Sequence, residues 1–319
     1  MKKTLIASAI AAATLSTGAF AMDNTHADKI LGMVEGMPKI SGDIELFASY
    51  TDADADGNTG SRSDGIQDDV DSTIAIDHET MISEETTAYA HVELVYNTAG
   101  NLDDTGSANA SPALDVAYIG FKGSFGDVSI GTIDSVYESV DIIDFSENLG
   151  TVAGGDLLGA NESQVINYTS PSIEEMLTVG VSVQTDEDQD NLGALVVNYA
   201  QDNLAVNFGY GINDVAEDVI GLSAAFTMDD LTLTAQFETQ DEVADFYGVL
   251  ATYAMGMNTF NFGIMTMSPE VGEDATAISA SVVHSLAENV YVYAEASFQS
   301  SDDDASEMDQ YVVGTTYSF

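Results

Sequence analysis

From Ile40 onward the chain alternates apolar and polar residues with a period of two. Ile44, Leu46 and Ala48 take turns with Asp43, Glu45, Phe47 and Ser49, and Phe47 is the one large apolar residue on the polar side. Such a period puts successive side chains on opposite faces of an extended strand. The same reading predicts strands over 72–82, 87–96, 113–122 and 128–137, with Ala90, Val92, Leu94 and Tyr96 sharing one side. The second half of the chain is more regular. Leu177, Val179, Val181 and Val183 alternate with Thr178, Gly180, Ser182 and Gln184, and Leu204, Val206, Phe208, Tyr210 and Ile212 alternate with Ala205, Asn207, Gly209 and Gly211. Leu231, Leu233, Ala235 and Phe237 alternate with Thr232, Thr234, Gln236 and Glu238.

An apolar face backed by a small or polar one fits a barrel with lipid outside and water inside, although a soluble sandwich would show the same alternation in the opposite sense. Turn spacing separates the two. Short turns fall at Gln201-Asp202-Asn203, Met228-Asp229-Asp230, Gly256-Met257-Asn258 and Ala287-Glu288-Asn289, which are 27, 28 and 31 residues apart, and longer acidic connections are expected between them. Sixteen strands of roughly 8 to 12 residues fit between Ile40 and Phe319, enough to cross a membrane when tilted and to enclose water. The predicted fold class is all-β: a 16-stranded antiparallel transmembrane β-barrel over 40–319, with an inward-folded third loop.

That loop is the segment 138–162, which contains six carboxylates, no lysine or arginine, and the small-residue stretch Val152 to Gly155. It is too long for a tight turn and too unbalanced in charge for a surface helix. Its expected place is inside the barrel mouth, narrowing the lumen.

Composition adds an address. Lys2 and Lys3, an apolar run from Leu5 to Leu15 and the Ala19-Phe20-Ala21 site read as a secretory signal over 1–21. Residues 22–39 then form an N-terminal periplasmic segment in which Ile30, Leu31, Val34 and Met37 lie near one face of a short helix, so that a lumen plug or a frayed end are both open. There is no cysteine, so no disulfide holds the exported chain. After cleavage four basic residues, Lys29, Lys39, Arg62 and Lys122, stand against 54 acidic ones. This excess of negative charge argues against nucleic acid as a partner, because binding there neutralises phosphates, and it leaves cations or a plain solvated acidic surface.

The final strand, in which Tyr311, Val313, Thr315, Tyr317 and Phe319 share a face, resembles that of bacterial outer-membrane proteins. In those proteins the terminal aromatic strand is read by the barrel assembly machinery, so Tyr317 and Phe319 are the expected assembly signal. With its long third loop the chain looks like a general porin of Gram-negative bacteria over essentially all of 40–319. Ala117-Tyr118-Ile119-Gly120, Phe125-Gly126-Asp127-Val128 and Gly131-Thr132-Ile133-Asp134-Ser135-Val136-Tyr137 resemble the family's fourth and fifth strands, and Asn167-Tyr168-Thr169-Ser170-Pro171 its sixth strand and turn.

The resemblance implies a homotrimer, contact with outer-membrane lipid and lipopolysaccharide, and a constriction in which loop carboxylates face an arginine cluster. The acidic half is here as Glu138, Asp141, Asp144, Glu147 and Asp156, with Gly154-Gly155-Asp156 matching the family's loop motif and its Pro-Glu-Phe portion missing. The basic half is largely absent: Thr73 and Thr132 stand where relatives commonly have arginine, and Leu114 and Asp115 are flanked by none. Asp43, Glu45, Glu93, Glu238 and Glu295 fall on the polar faces of their strands and would add to the charge of the pore wall. Uncompensated carboxylates around a narrow aqueous path concentrate cations and repel anions, so the expectation is a cation-preferring passive diffusion channel. The alternative is a solute-specific or plugged barrel acting through its acidic loops as an adhesin or receptor.

Asp52-Ala53-Asp54-Ala55-Asp56-Gly57 matches the opening of a calcium loop, but position twelve is Ser63, so Asp52, Asp54 and Asp56 offer at most a loose calcium or magnesium site beside the plain reading of a solvated loop. No other cofactor is expected. His26, His78, His91 and His284 lack the serine or carboxylate spacing of a hydrolase, so no enzyme activity is expected.

Overall fold

In the computed structural model the described residues are 37–53, 61–62, 72–96, 112–143, 146–149, 157–158, 163–184, 192–213, 217–301 and 307–319. The signal segment and nearly all of 22–39 lie outside them. The strands are β1 (Lys39–Ala53), the two-residue β2 (Ser61–Arg62), β3 (Ser72–Ser83), β4 (Thr86–Tyr96), β5 (Ala113–Gly123), β6 (Gly126–Thr132), β7 (Val165–Thr169), β8 (Leu177–Gln184) and β9 (Leu192–Gln201). They continue with β10 (Leu204–Asn213), β11 (Val219–Met228), β12 (Leu231–Gln240), β13 (Ala244–Met255), β14 (Asn258–Pro269), β15 (Ala275–Ala287), β16 (Val290–Ser301) and β17 (Met308–Ser318). Apart from β2 these are sixteen wall strands, each antiparallel to its chain neighbour.

The sheet closes where β1 meets β17 from Asp43↔Ser318 to Ala53↔Met308, while the first residues of β1 pair with β3 from Lys39↔Asp77 to Gly42↔Ile74. Among the described residues every wall strand has a neighbour on both sides, as a lipid environment requires. At the seam Gly42 and Phe319 exchange backbone bonds, Gly42 N–H donating at 3.1 Å and Phe319 N–H at 2.9 Å.

Alternation runs as the sequence reads. Ile119, Phe121, Ile130, Phe208, Leu222, Phe262 and Val313 point outward and are exposed, whereas Ser182, Gln184, Ser223, Gln236 and Glu238 point inward and are buried. The exposed outer surface is the lipid-facing band, and with no tryptophan its aromatic share comes from Tyr and Phe, among them Tyr50, Tyr168, Tyr253, Tyr311 and Tyr317.

Two-residue turns at Asp202-Asn203, Asp229-Asp230, Gly256-Met257 and Glu288-Asn289 join strands at one end. Asp202 (φ +53) and Asp229 (φ +50) take the left-handed conformation that a short polar side chain tolerates. At the opposite end the connections are uneven. The link from β12 to β13 is only the three residues between Gln240 and Ala244, not the longer connection expected there. The strand predicted over 128–137 is also shorter, ending at Thr132. Ser135 caps a 3₁₀ turn, Val136–Ser139, by accepting from Tyr137 N–H, and this turn carries the chain off the wall into the lumen.

Candidate pore constriction

The third loop leaves β6 and is fastened along the inner wall in sequence. Val136 N–H donates to Ser182 Oγ on β8 at 2.7 Å, and Ser139 Oγ donates to Asn198 Oδ1 on β9 at 3.1 Å. Gln236 on β12 then accepts from two successive loop amides through Oε1, Ile142 N–H at 2.8 Å and Ile143 N–H at 3.0 Å. Its Nε2 donates to Asp141 Oδ1 at 3.0 Å and to Glu238 Oε1 at 2.7 Å. Further on, Glu295 of β16 takes Glu147 N–H on Oε1 at 2.6 Å and Asn148 N–H on Oε2 at 3.0 Å. Asn148 Nδ2 reaches Glu45 Oε1 of β1 at 3.0 Å. The returning chain donates Leu157 N–H to Glu238 Oε2 at 3.3 Å, and Gln184 Nε2 donates to Ser163 O at 3.1 Å as the loop re-enters the sheet. Charged acceptors for backbone N–H groups are among the stronger hydrogen bonds available, and here they replace the water that a lumen loop would otherwise bind.

Apolar packing accompanies these bonds, inside the barrel. Tyr137, Val140 and Leu158 form one buried cluster with Ala194, Val196 and Val219, and Ile143 forms another with Phe246, Leu250 and Met265. Inward glycines make room for them. A Cβ on Gly221 would lie 2.5 Å from the Tyr137 hydroxyl oxygen and from Val140 Cγ1, and one on Gly248 would lie 2.6 Å from Ile143 Cδ1. These are close-approach glycines, and any larger residue would push the loop into the lumen.

The residues singled out in the sequence separate accordingly. Glu45, Glu238 and Glu295 are buried at 2%, 0% and 4% exposure and serve as acceptors that hold the loop. Glu238 also accepts from the Tyr137 hydroxyl at 3.1 Å. In the loop, Asp141 is buried against Gln236, while Glu138 and Glu147 are half-buried. Tyr291 donates its hydroxyl to Glu147 Oε2 at 3.3 Å. Asp144 and Asp156 lie outside the described residues, as do Asp54 and Asp56; Asp52 ends exposed on β1. Tyr317 and Phe319 sit on the outer surface at the seam.

The described loop residues are fastened on β8 to β13, β16 and β1, and the wall beside the loop tip continues across β3, β4 and β5. Asp43, two residues from Glu45 on the same inward face, accepts from Thr73 Oγ1 at 2.6 Å. Glu93 is buried on β4, within electrostatic reach of Asp43, Asp77, Asp115 and His91. Asp115 occupies an irregularity in the β4–β5 register, which turns it toward this group. His91 sits directly across from Asp77 and donates Nδ1–H to its Oδ1 at 2.7 Å, since a carboxylate only accepts. The ring of His91 stacks on Tyr118 of β5 with centroids 5.3 Å apart. Asp77, Asp115, His91 and Tyr118 were missed as site residues in the sequence. The inward parity that marked Glu93 also marks His91, and only the pairing register joins it to Asp77 and Tyr118.

Among the described residues Lys39 and Lys122 are the basic side chains open to description. Lys39 begins β1 across from Asp77, and Lys122, next to the β5–β6 turn, pairs with Glu79 at 2.8 Å. Both lie toward the tight-turn end of the barrel.

A closed sixteen-stranded wall, apolar outside, with a loop strapped across its lumen defines a membrane-spanning pore protein. The chain belongs to the Gram-negative porins, whose family model matches residues 7–304. It is 25% identical to a monosaccharide porin of a Halomonas species and to the major outer membrane protein of Halomonas elongata, each alignment covering 100% of both chains. Among solved structures it resembles an anion-selective porin from Comamonas acidovorans at TM-score 0.74 and 15% identity, over 88% of this chain and 99% of that one. It also resembles the trimer form of OmpT from Vibrio cholerae at TM-score 0.68 and 17% identity, over 89% and 99%. The chain is thus an outer-membrane channel protein for small solutes.

Proposed function

We propose that this chain forms a water-filled, cation-preferring passive diffusion channel for ions and small hydrophilic solutes, with the third loop as its constriction. The observation that carries this reading is the run of carboxylates beside the loop, Glu45, Asp43, Glu93 and Asp115, with the uncharged Thr73 against Asp43. The similar fold of a porin described as anion-selective is consistent with selectivity being set by wall charge and not by the barrel. A relative described as a monosaccharide porin supports uncharged hydrophilic solutes beside ions. Assembly as a homotrimer, export by a cleaved signal, delivery by the barrel assembly machinery and contact with lipopolysaccharide belong to the same reading, and the trimer form of a structural neighbour supports the first of these.

The test is the reversal potential of the purified protein in a planar bilayer under a potassium chloride gradient. Cation preference is expected at low salt, and it should fade as the Debye length shrinks from about 10 Å at 0.1 M to about 3 Å at 1 M. Anion preference, or no conductance, sinks the proposal and favours a plugged barrel that works through its surface loops.

A further inference from the structure

The acidic wall formed by β1, β3, β4 and β5 also carries a nitrogen ligand. In His91-Val92-Glu93 the two polar residues stand two apart on β4, so both side chains leave the inward face while Val92 points outward. His91 is fixed at two places: its ring stacks on Tyr118 with centroids 5.3 Å apart, and its Nδ1–H donates to Asp77 Oδ1 at 2.7 Å. With the proton held on Nδ1, the lone pair is on Nε2. That atom lies 3.8 Å from Glu93 Oε2, too far for a hydrogen bond. Glu93 is only 8% exposed, and among the described residues no hydrogen-bond donor reaches its carboxylate. A carboxylate so placed is costly until a cation meets it. Each side chain keeps some exposed surface, 19% for His91 and 11% for Glu93, so an ion in the lumen can reach the pair.

The gap between the two atoms has the size of a metal ion. Zinc bonds of about 2.0–2.1 Å to nitrogen and about 2.0–2.2 Å to oxygen, bent at the ion, span 3.8 Å with neither side chain moved. An imidazole nitrogen suits borderline ions such as Zn²⁺, Ni²⁺ or Cu²⁺, whereas Mg²⁺ and Ca²⁺ take oxygen ligands. Asp77 behind His91 supplies the carboxylate that commonly orients a metal-binding imidazole. We propose that His91 and Glu93 form a wall site at which a divalent transition-metal ion, with Zn²⁺ as its type, is held in preference to Mg²⁺ or Ca²⁺, with Asp77 as a positioning residue. Asp43 and Asp115, within electrostatic reach of Glu93, add negative charge that draws divalent ions to it. Among the described residues no third such side chain joins the pair around one ion. Water fills the remaining positions, and an ion held by two protein ligands can leave again, as passage requires. The site rests on the cation-channel reading above and narrows it to a class of ion.

Binding and block are measured separately on the purified, untagged full-length protein. In calorimetric titration in detergent, zinc chloride is expected to bind at least about tenfold more tightly than magnesium chloride, and His91→Gln should lose that preference. Asp77→Asn, which keeps an acceptor for Nδ1–H but drops the charge, should weaken Zn²⁺ about tenfold and leave Mg²⁺ unchanged, which a merely structural role would not do. In a planar bilayer, zinc chloride should lower the potassium chloride current saturably at concentrations where magnesium chloride does not. His91→Gln should abolish that block while potassium chloride conductance persists, and Glu93→Gln gives the same readout if His91→Gln does not assemble. Equal effects of the two metals, or variants that behave as wild type, overturn the site and leave the channel standing. No potassium chloride conductance in the wild type overturns the channel reading, and the calorimetry then decides the site alone.

Discussion

Tyr293 of β16 reaches past β17 to donate its hydroxyl to Glu45 Oε1 of β1 at 2.6 Å, and its ring fills the space above Gly314 on the intervening strand. Asn148 Nδ2 donates to the same Tyr293 oxygen at 2.7 Å and to the same Glu45 oxygen at 3.0 Å. The barrel seam and the tip of the third loop therefore share one hydrogen-bonded group. Disturbing it should be felt in the pore before it is felt in the fold.

Glu295→Ala removes both acceptors of the Glu147 and Asn148 amides. The loop tip should loosen, raising single-channel noise and mean conductance, while the barrel still forms. Glu295→Gln keeps one acceptor oxygen and should fall between. Leaving buried N–H groups unpaired costs about 1–3 kcal/mol, small beside sixteen paired strands. Traces identical to wild type for Glu295→Ala would mean that the remaining contacts suffice.

Gly221→Val and Gly248→Val place side chains where Tyr137, Val140 and Ile143 now sit. Overpacking of this kind costs about 1–3 kcal/mol, seen as a lower temperature for loss of the compact form on unheated gels. Gly193→Ala is the control, since a Cβ there would meet nothing nearer than 3.8 Å, and it should be tolerated. Equal stability of all three variants would remove the glycine seat as an explanation of loop docking.

Charge on the wall should govern selectivity directly. Asp43→Asn with Glu93→Gln, and separately Thr73→Arg, should each lower cation preference in the reversal-potential measurement at 0.1 M salt, by less at 1 M. The double variant should have the larger effect, because it removes two negative charges, whereas the arginine variant adds one positive charge beside Asp43. A potential unmoved by either change would place selectivity elsewhere along the pore.

Gly42→Val tests the seam. A Cβ at Gly42 would lie 2.3 Å from the Thr73 backbone carbonyl oxygen and 2.8 Å from the Phe319 ring, beside the backbone pair that closes β1 on the end of the chain. Little folded barrel is expected to be recovered in refolding into detergent, and normal recovery would show that the β1–β3 backbone can shift to admit a side chain.

The wall was legible in the sequence because a strand exposes its two faces in strict alternation, so Leu233 and Phe237 declare the outside as surely as Gln236 and Glu238 declare the inside. The short turns were legible for a similarly local reason, in that Asp202, Asp229 and Gly256 are residues suited to positive φ. What Glu238 and Glu295 do with their inward positions was not legible. Alternation says that a carboxylate faces inward but not whether water or a loop amide meets it, and Glu147 is 148 residues from its partner Glu295. Val128 to Tyr137 read as one strand because Ile133, Val136 and Tyr137 are good strand formers. The chain leaves the sheet after Thr132 because Tyr137 is claimed by the lumen cluster.

A thin-walled cylinder yields most easily by flattening, and a membrane under lateral pressure pushes it that way. The third loop begins and ends on β6 and β7, is tied to β12 through Gln236 and Glu238, and reaches β16 and β1 through Glu295 and Glu45. It is a strut spanning the bore. The contacts that hold the loop inside the barrel also keep its cross-section round, so a variant with the loop released would give up some rigidity of the shell.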